Sequence, residues 1–414
     1  MAEDLIRIER IAAGGDGVGR LADGRVAFVP RTAPGDLARC EVVRPAARFV
    51  RARLVAVEEP GPDRVEPSCP HYVADECGGC QLQHLASAAQ RAARQAIVGD
   101  ALRRIARLPV DDPPLEPPSD DWGYRAKVAL SVGPGRRVGY HRYDRPGQIF
   151  DLTQCRIAAP GINGLVERLR AARRALPERL ERVTLRLDRA GGEHLILETA
   201  AGPVWSGGRA LHAAVQGSAP TSIWWRPAGG AARVVAGADS AYPATAFEQV
   251  NPAMGDRVRS RALAGLGPVA DRRAWDLYAG IGEASEALAT AGAVVESVEA
   301  DGSAVTEAAR RQAAFGRRIE RVHGRVEDVV ASLAAPDLVL LNPPRAGLDP
   351  KVVAVLLART PSRIAYVSCD PATLARDLGR LAGPTGGYRL ASLGAFDLFP
   401  QTAHVETVAV LERT

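Results

Sequence analysis

The stretch Trp275-Asp276-Leu277-Tyr278-Ala279-Gly280-Ile281-Gly282 indicates the fold of the C-terminal part of this 414-residue chain. It ends an apolar run, turns on two glycines and leads into a helical pattern over 283–291. Glycines at such a turn let the backbone approach a ligand closely, at the sheet edge where folds of this kind bind their ligands. The stretch therefore predicts a strand, a nucleotide-binding loop and a helix.

The sequence around this stretch alternates buried strands with helical segments, which is typical of a parallel, doubly wound sheet. The predicted strands are Ala274–Leu277, Val294–Val298, Leu338–Leu341 and Ile364–Ser368. We predict a Rossmann-like domain over 239–414. Its second strand ends at Glu299, which we expect to bind the ribose hydroxyls of an adenosine-type cofactor, with Asp301 as the substitute.

The nature of that cofactor depends on two positions of the loop. A dinucleotide-binding fold prefers a third glycine where Ser285 stands, whereas an acid that opens the loop, here Asp276, fits S-adenosylmethionine better. The spacing favours a methyltransferase, and it leaves a dehydrogenase or a ligand-free sheet open.

The N-terminal part has a different pattern of short apolar runs and glycine turns. Residues 1–60 predict a small five-stranded, OB-like barrel, and a proline-rich linker follows. Residues 61–238 predict a central α+β domain with a helix over Leu85–Arg107. Its predicted strands include Ala126–Val132, Arg137–His141 and Gln148–Leu152. A hairpin is expected at Pro227–Gly230, so the whole chain is predicted to be a multidomain α/β protein.

Four of the six cysteines form a pattern that is typical of metal ligands. Cys69, Cys77 and Cys80 lie close together around a CxxC core, and Cys155 follows far downstream. Tetrahedral zinc and a 4Fe–4S cluster both use four such thiolates, so the spacing alone leaves both open. Cys40 lies in a predicted barrel strand, where a small buried hydrophobic role is expected.

The bulk composition excludes some classes of protein and favours others. Hydrophobic residues at 46% and charged residues at 24% are ordinary for a globular chain. No apolar run reaches the roughly 18 residues that a membrane span needs, so we expect a cytoplasmic protein without a membrane partner. The net charge of +5 leans towards a polyanionic partner such as RNA.

The strand Ile364–Ser368 delivers Cys369 to the same sheet edge as the glycine loop. Asp370 and Pro371 then begin a helix whose dipole favours a thiolate, although Asp370 opposes it. A buried structural cysteine is the plain alternative. Further motifs follow the neighbouring strands, namely Asn342-Pro343-Pro344-Arg345 and the segment from Phe396 to Glu406.

Taken together, these motifs resemble the TrmA/RumA family of RNA uracil-5-methyltransferases. The segment from Ser368 to Asp377 is similar to the family's nucleophile motif nearly residue for residue. The other matching segments are Phe247–Asn251, Asp276–Gly282, Pro343–Leu348 and Asp397–Glu406. The barrel, with Ile11 to Arg20, resembles a TRAM domain, and Cys77–His84 resembles the iron–sulfur segment of the RumA branch.

The resemblance implies S-adenosylmethionine-dependent methylation of uracil C5 in RNA, with 23S rRNA favoured. It implies that Cys369 is the covalent nucleophile, because C5 becomes nucleophilic only after an addition to C6. Glu406 is implied to be the base that removes the C5 proton. The implied cofactor-binding residues are Gln249, Asp276, Tyr278, Gly280, Gly282, Glu299 and Asn342.

The resemblance also favours the 4Fe–4S cluster over zinc at the four cysteines. Arg125 and Lys127 lie in a segment that resembles an RNA-facing one, so we expect them to hold the substrate. The target base must leave its stack to reach the pocket. We expect a monomer.

Two alternatives stay open, and a departure from the family pattern motivates one of them. The family usually has aspartate before Pro-Pro-Arg, whereas this chain has Asn342. A non-catalytic RNA-binding protein with the same fold is therefore one alternative. The other alternative is the same chemistry on the T-loop uridine of tRNA.

Overall fold

The computed structural model describes residues 3–237 and 246–414. In this part of the chain the strands are β1 (Glu3–Ile11), β2 (Gly17–Arg20), β3 (Val26–Val29), β4 (Leu37–Pro45), β5 (Phe49–Glu59), β6 (Leu115–Glu116), β7 (Lys127–Gly133), β8 (Arg137–Gly139), β9 (Leu180–Leu187), β10 (Glu193–Thr199), β11 (Thr221–Pro227), β12 (Arg233–Gly237), β13 (Arg273–Leu277), β14 (Val294–Glu299), β15 (Ile319–His323), β16 (Leu338–Leu341), β17 (Arg363–Ser368), β18 (Tyr388–Phe396) and β19 (Glu406–Arg413).

The same ranges contain the following α-helices: α1 (Pro70–Ala74), α2 (Ser87–Ala101), α3 (Pro160–Ala171), α4 (Gly208–Val215), α5 (Pro252–Leu266), α6 (Glu283–Thr290), α7 (Gly302–Arg311), α8 (Val326–Val329), α9 (Pro350–Arg359) and α10 (Pro371–Leu381). A π-helical turn, Leu102–Ala106, continues α2, so the predicted helix over Leu85–Arg107 is present with a distorted end. Within the described residues, no helix is both long enough and apolar enough to cross a bilayer.

The described residues divide into two compact units. The first unit holds 3–90, 119–237 and 400–403, and the second holds 91–118, 246–399 and 404–414. Residues 91–118 were predicted to lie in the central domain, but they pack in the second unit. There the turn after α2 meets α10, where Gly379 leaves room for Ala106. The domain boundary predicted at residues 238 and 239 lies outside the described residues, and the other boundaries stay predictions.

The N-terminal barrel is closed, with strand order β1-β2-β3-β5-β4, as the sequence predicted. Alternate residues of its strands point inward, which gives a core that includes Ile6, Ile8 and Val29. Cys40 lies fully buried in this core, and burial raises the pKa of its thiol to about 12. Cys40 therefore behaves as a small hydrophobic residue, as expected.

A six-stranded sheet of order β12-β11-β10-β9-β7-β8 forms the rest of the first unit, with α3 and α4 packed on it. The predicted hairpin at Pro227–Gly230 joins β11 to β12. The strand predicted over Gln148–Leu152 is absent. That segment makes only an isolated bridge, His141 to Ile149, because its backbone pairs with β8 at scattered points rather than in a ladder.

The second unit contains an eight-stranded sheet of order β15-β14-β13-β16-β17-β19-β18-β6. The first five strands are parallel, as the alternating pattern predicted. Strand β19 then inserts antiparallel between β17 and β18. The sequence did not predict β15, β18 or β19. Apolar clusters on both faces of the sheet bury it, which is usual for parallel sheets.

Candidate active site

The glycine loop after β13 takes a left-handed backbone at three positions. Tyr278 has φ of 64°, Gly280 has 57° and Gly282 has 79°. At Gly282 the positive φ disfavours a side chain, and a Cβ would lie 1.9 Å from the Gln312 amide nitrogen, which donates to the Gly282 carbonyl at 3.0 Å and would have to move. The loop is therefore held in one shape, and a substitution at Gly282 would force α6 and Gln312 apart.

A cavity of about 100 Å³ opens between this loop and the start of α5. Five of the residues predicted to bind the cofactor line it, namely Gln249, Asp276, Tyr278, Gly280 and Asn342. Arg259 was not predicted from the sequence. It also lines the cavity and donates to Glu283 at 2.6 Å. No local motif marks it, because it lies on a helix surface where arginine is common.

Two other predicted cofactor residues do not line this cavity. Gly282 begins α6. Glu299 is used by the backbone: its carboxylate accepts from the N–H of Gly280 at 2.8 Å and from the N–H groups of Ala300 and Asp301. It therefore shapes the loop, and its contact with a ribose stays a prediction. Asp301 caps α7.

Asp276 is the buried acid of this site, with only 1% of its surface exposed. Burial raises the pKa of its carboxyl to about 6, although the Ser285 hydroxyl opposes this by donating at 2.6 Å. Ser285 also lies 3.0 Å from the Ser297 hydroxyl. The residue that distinguished this loop from a dinucleotide motif thus holds the acid in place.

Cys369 lies between β17 and α10, as predicted. Asp370 caps the helix, because its carboxylate accepts from the backbone N–H of Ala372 at 3.0 Å and of Thr373 at 2.9 Å. Pro371 takes the first helical position. The thiol is partly exposed at the helix N-terminus, which suits an attacking thiolate.

Glu406 is the first residue of β19 and is 2% exposed. Ser368 pairs with Thr407, so the register places Cys369 beside Glu406. Burial raises the pKa of Glu406 to about 8, and Arg345 lowers it. Burial likewise raises the pKa of Cys369, the Glu406 charge raises it further, and Arg345 lowers it. The structure thus brings a thiol, a carboxyl and a guanidinium together.

The loop that carries Arg345 is tied to α10 by Asp377, which is fully buried. The Asp377 carboxylate accepts from the Leu348 N–H at 2.8 Å and from the Tyr366 hydroxyl at 2.9 Å. Arg376 donates to the Ala346 carbonyl at 2.8 Å. The loop with Arg345 and the helix that follows Cys369 are therefore one hydrogen-bonded assembly.

The four predicted metal-ligating cysteines meet at a second cavity, in the first unit. Cys69, Cys77, Cys80 and Cys155 are each buried, and together they line a cavity of about 40 Å³. No group of three or more His, Cys, Asp or Glu side chains in the described ranges is placed to hold a single metal ion. The identity of any group that these four cysteines hold therefore stays a prediction.

His71 ties two parts of this cavity wall together. The Thr153 N–H donates to its Nε2 at 3.2 Å, and the Thr153 hydroxyl lies 2.7 Å from the same nitrogen. Nε2 therefore accepts, so Nδ1 carries the proton and donates it to Asp75 at 2.7 Å. The segment that begins at Cys69 is thereby joined to the one that ends at Cys155.

The two residues predicted to hold RNA have different surroundings. Arg125 lines the cysteine cavity, and its Nε is buried with no hydrogen-bond partner. Lys127 begins β7 and is partly buried. Their contact with RNA stays a prediction.

The chain is similar to known proteins over nearly its whole length. A family model described as tRNA (Uracil-5-)-methyltransferase matches residues 308–414, and a TRAM domain model matches residues 3–55. A 23S rRNA (uracil(1939)-C(5))-methyltransferase RlmD of Thiobacillus denitrificans is 34% identical over 432 residues, covering 96% of this chain and 97% of the relative. An RNA methyltransferase of Thermosynechococcus vestitus is 34% identical over 444 residues, covering 98% and 97%.

Among solved structures, the Pyrococcus abyssi tRNA (uracil-54, C5)-methyltransferase in complex with S-adenosyl-L-homocysteine has the same fold. Its TM-score is 0.72 at 23% identity, covering 98% of this chain and all of the other. The relatives and the shared fold identify the chain as an S-adenosylmethionine-dependent methyltransferase. The chain belongs to the RNA uracil-5-methyltransferase family, with an N-terminal TRAM domain.

Proposed function

We propose that this enzyme methylates C5 of a uridine in 23S rRNA through a covalent bond between Cys369 and C6 of the base. The observation that carries the proposal is the adjacency of Cys369 and Glu406 at the end of β17. A nucleophile and a base that share one strand pair can act on neighbouring atoms of one ring.

Each residue has a defined task in this reaction. The Cys369 thiolate adds to C6, which places the electron pair of the double bond on C5 and the carbonyl. Bound S-adenosylmethionine would supply the methyl group that bonds to C5, and it would leave as S-adenosylhomocysteine. Glu406 then takes the proton from the methylated C5, the double bond re-forms and the bond between C6 and sulfur breaks. Arg345 stabilises the anionic forms of both protein groups.

The cofactor would lie in the cavity beside the glycine loop. The side chain of Gln249, the backbone of Gly280 and the amide of Asn342 line that cavity and offer donors and acceptors. Phe247 lines it as well, and 63% of its surface is exposed, which leaves an aromatic face for stacking on an adenine. We propose these residues as the binding set, with Glu299 acting through the loop that it holds.

The choice of 23S rRNA rests on relatives that bear that name and match nearly the whole chain. The tRNA alternative remains, since the family model and the solved neighbour are named for tRNA. We propose methyl transfer to unmodified 23S rRNA and unmodified tRNA, followed by nucleoside analysis, as the test. 5-Methyluridine in rRNA alone supports the proposal, and the same product in tRNA alone overturns the substrate.

The rival hypothesis of a non-catalytic RNA-binding protein is tested by trapping. RNA that contains 5-fluorouracil has no C5 proton to remove, so the enzyme should stay covalently attached to it. Cys369→Ala should abolish the complex seen on a denaturing gel. Cys40→Ala is the matched control, because that thiol is buried in the barrel, and it should leave the complex intact. If the unaltered chain forms no complex, Asn342→Asp is the variant to examine next.

We further propose that Cys69, Cys77, Cys80 and Cys155 hold a 4Fe–4S cluster. The set consists of four buried thiols around one cavity. In a cluster each thiolate binds a different iron, so four cysteines match its ligand set. Anaerobic purification should yield iron and sulfide; stoichiometric zinc without iron would overturn this.

The cluster would have a structural role, because methyl transfer by this route moves no net electrons. We propose that it shapes the RNA-binding face of the first unit together with the TRAM barrel, and that Lys127 contacts the RNA there. The enzyme is proposed to act as a cytoplasmic monomer.

A further inference from the structure

Arg125 is built into the wall of the cysteine cavity. Its N–H donates to the Ile157 carbonyl at 2.8 Å, and its carbonyl accepts from the Ala159 N–H at 2.9 Å. These bonds hold it against the segment that follows Cys155, next to residues that line the same cavity. The position of Arg125 is therefore set by the backbone, and it would survive a change of the side chain.

The Arg125 side chain presents an unused donor. Its Nε is buried and lacks a hydrogen-bond partner, which is destabilising when nothing satisfies it. The charge of Arg125 acts on the thiol of Cys155 and on Tyr140, both of which line the cavity. A buried donor in this place indicates that an acceptor occupies the cavity when the protein is complete.

No carboxylate lines the cavity, so the acceptor does not come from an acidic side chain of the described wall. The other cationic group, Arg156, lies over the ring of Trp122 at 5.1 Å. His71 is occupied at both ring nitrogens, as described above. An iron–sulfur cluster with four thiolates is anionic and carries sulfur acceptors, which makes it the complement of the unused Arg125 donor.

We propose that Arg125 is a positioning residue of the cluster: its guanidinium donates to a cluster sulfur and offsets the cluster's negative charge. This inference rests on the cluster proposed above, and it replaces RNA contact as the role of Arg125. Hydrogen bonds and nearby positive charge stabilise the reduced, more negative state of a cluster. Removing the guanidinium should therefore make the reduction potential more negative and the cluster easier to lose.

The experiment compares the full-length protein with Arg125→Met, Arg125→Lys and the control Arg182→Met after anaerobic reconstitution. Arg182 is an exposed arginine on β9, outside the cavity. The measurements are iron and sulfide per chain, midpoint potential by redox titration, rate of iron loss in air, and RNA affinity. We expect Arg125→Met to shift the potential to more negative values and to lose iron several-fold faster. Arg125→Lys should fall between, and Arg182→Met should match the unaltered protein.

Each other outcome is decisive. If Arg125→Met keeps the unaltered potential and iron-loss rate but binds RNA more weakly, Arg125 contacts RNA and the inference is wrong. If the unaltered protein itself takes up no iron, the cluster proposal fails, and the inference fails with it. Should Arg125→Met not fold, Arg125→Lys still tests the inference, since it keeps the charge and loses the planar donor. An unchanged potential and iron-loss rate in that variant would then overturn it.

Discussion

At the scale of single residues, Cys369 and Glu406 must each be an anion at some step of the reaction. Both lie in surroundings whose burial disfavours the charged form. Burial raises the pKa of Glu406 to about 8, so at pH 7 the carboxyl of the free enzyme is mostly protonated. Burial also raises the pKa of Cys369. Arg345 is the cation that lowers both, which makes it the residue that tunes the pair.

Arg345→Met should therefore move the pH dependence of the single-turnover rate to higher pH. Both groups gain reactivity as they lose protons, so the rate rises with pH, and raising their pKa values delays that rise. A displacement of about one unit would cost roughly tenfold in rate at pH 7. Arg345→Lys, which keeps the charge, should fall close to the unaltered profile. An Arg345→Met profile identical to the original would exclude this role.

Glu406→Gln should separate the two halves of the reaction. The amide cannot take the C5 proton, whereas Cys369 can still add to C6 and C5 can still be methylated. We expect one methyl group per enzyme and an enzyme–RNA complex that persists on a denaturing gel. The double variant Cys369→Ala/Glu406→Gln should form none. Free, methylated RNA released by Glu406→Gln would show that another group removes the proton.

At the scale of elements, the active site depends on how β17, α10 and the loop before α9 are joined. Asp377 on α10 accepts from the loop at Leu348 and from Tyr366 on β17. The loop that carries Arg345 has no strand or helix of its own to fix it. The position of this loop therefore depends on α10, the helix that follows Cys369.

Asp377→Ala should loosen this loop and destabilise the second unit. Buried hydrogen-bonding groups at Leu348 and Tyr366 lose their acceptor, which costs about 1–3 kcal/mol each. We expect a lower unfolding midpoint in urea and a lower rate of methyl transfer, with Asp377→Asn less affected because it keeps an acceptor oxygen. Glu412→Ala, at the far end of β19, is the control that should retain the rate. Unchanged stability and rate in Asp377→Ala would contradict this account.

At the scale of the whole molecule, the two cavities belong to different compact units. All residues that line the glycine-loop cavity lie in the second unit, and all that line the cysteine cavity lie in the first. Each unit has its own apolar core. Loss of one site is therefore expected to leave the binding function of the other in place.

Cys77→Ser/Cys80→Ser should abolish iron uptake and keep S-adenosylmethionine binding. Because the two cavities have different lining residues, the Kd measured by calorimetry should stay within roughly twofold. RNA affinity, measured in parallel, should fall if the cluster shapes the RNA-binding face. A large loss of S-adenosylmethionine affinity would show that the units depend on each other.

Features that depend on residues close together in the chain could be predicted from the sequence alone. The barrel, the glycine loop after β13, the cap and proline that begin α10, and the position of Cys369 were all predicted. Each depends on hydrophobic period, turn residues or a helix start, which are signals within about ten residues. The family resemblance implied a role for Glu406, and the cysteine spacing implied metal ligands, but neither predicted where these side chains lie in the fold.

How these residues come together in space depends on the tertiary structure and could not be predicted from local patterns. The insertion of β19 between β17 and β18 brings Glu406 beside Cys369. The spacing of hydrophobic residues along the sequence does not indicate which strands become neighbours in a sheet. The prediction of a strand over Gln148–Leu152 was wrong, because isolated backbone pairings replace a continuous ladder of hydrogen bonds there. Arg125 was predicted to contact RNA, and no local pattern indicated that it lines the cysteine cavity. Its place in the cysteine cavity follows from backbone bonds to Ile157 and Ala159, which are distant in the chain and which local patterns do not encode.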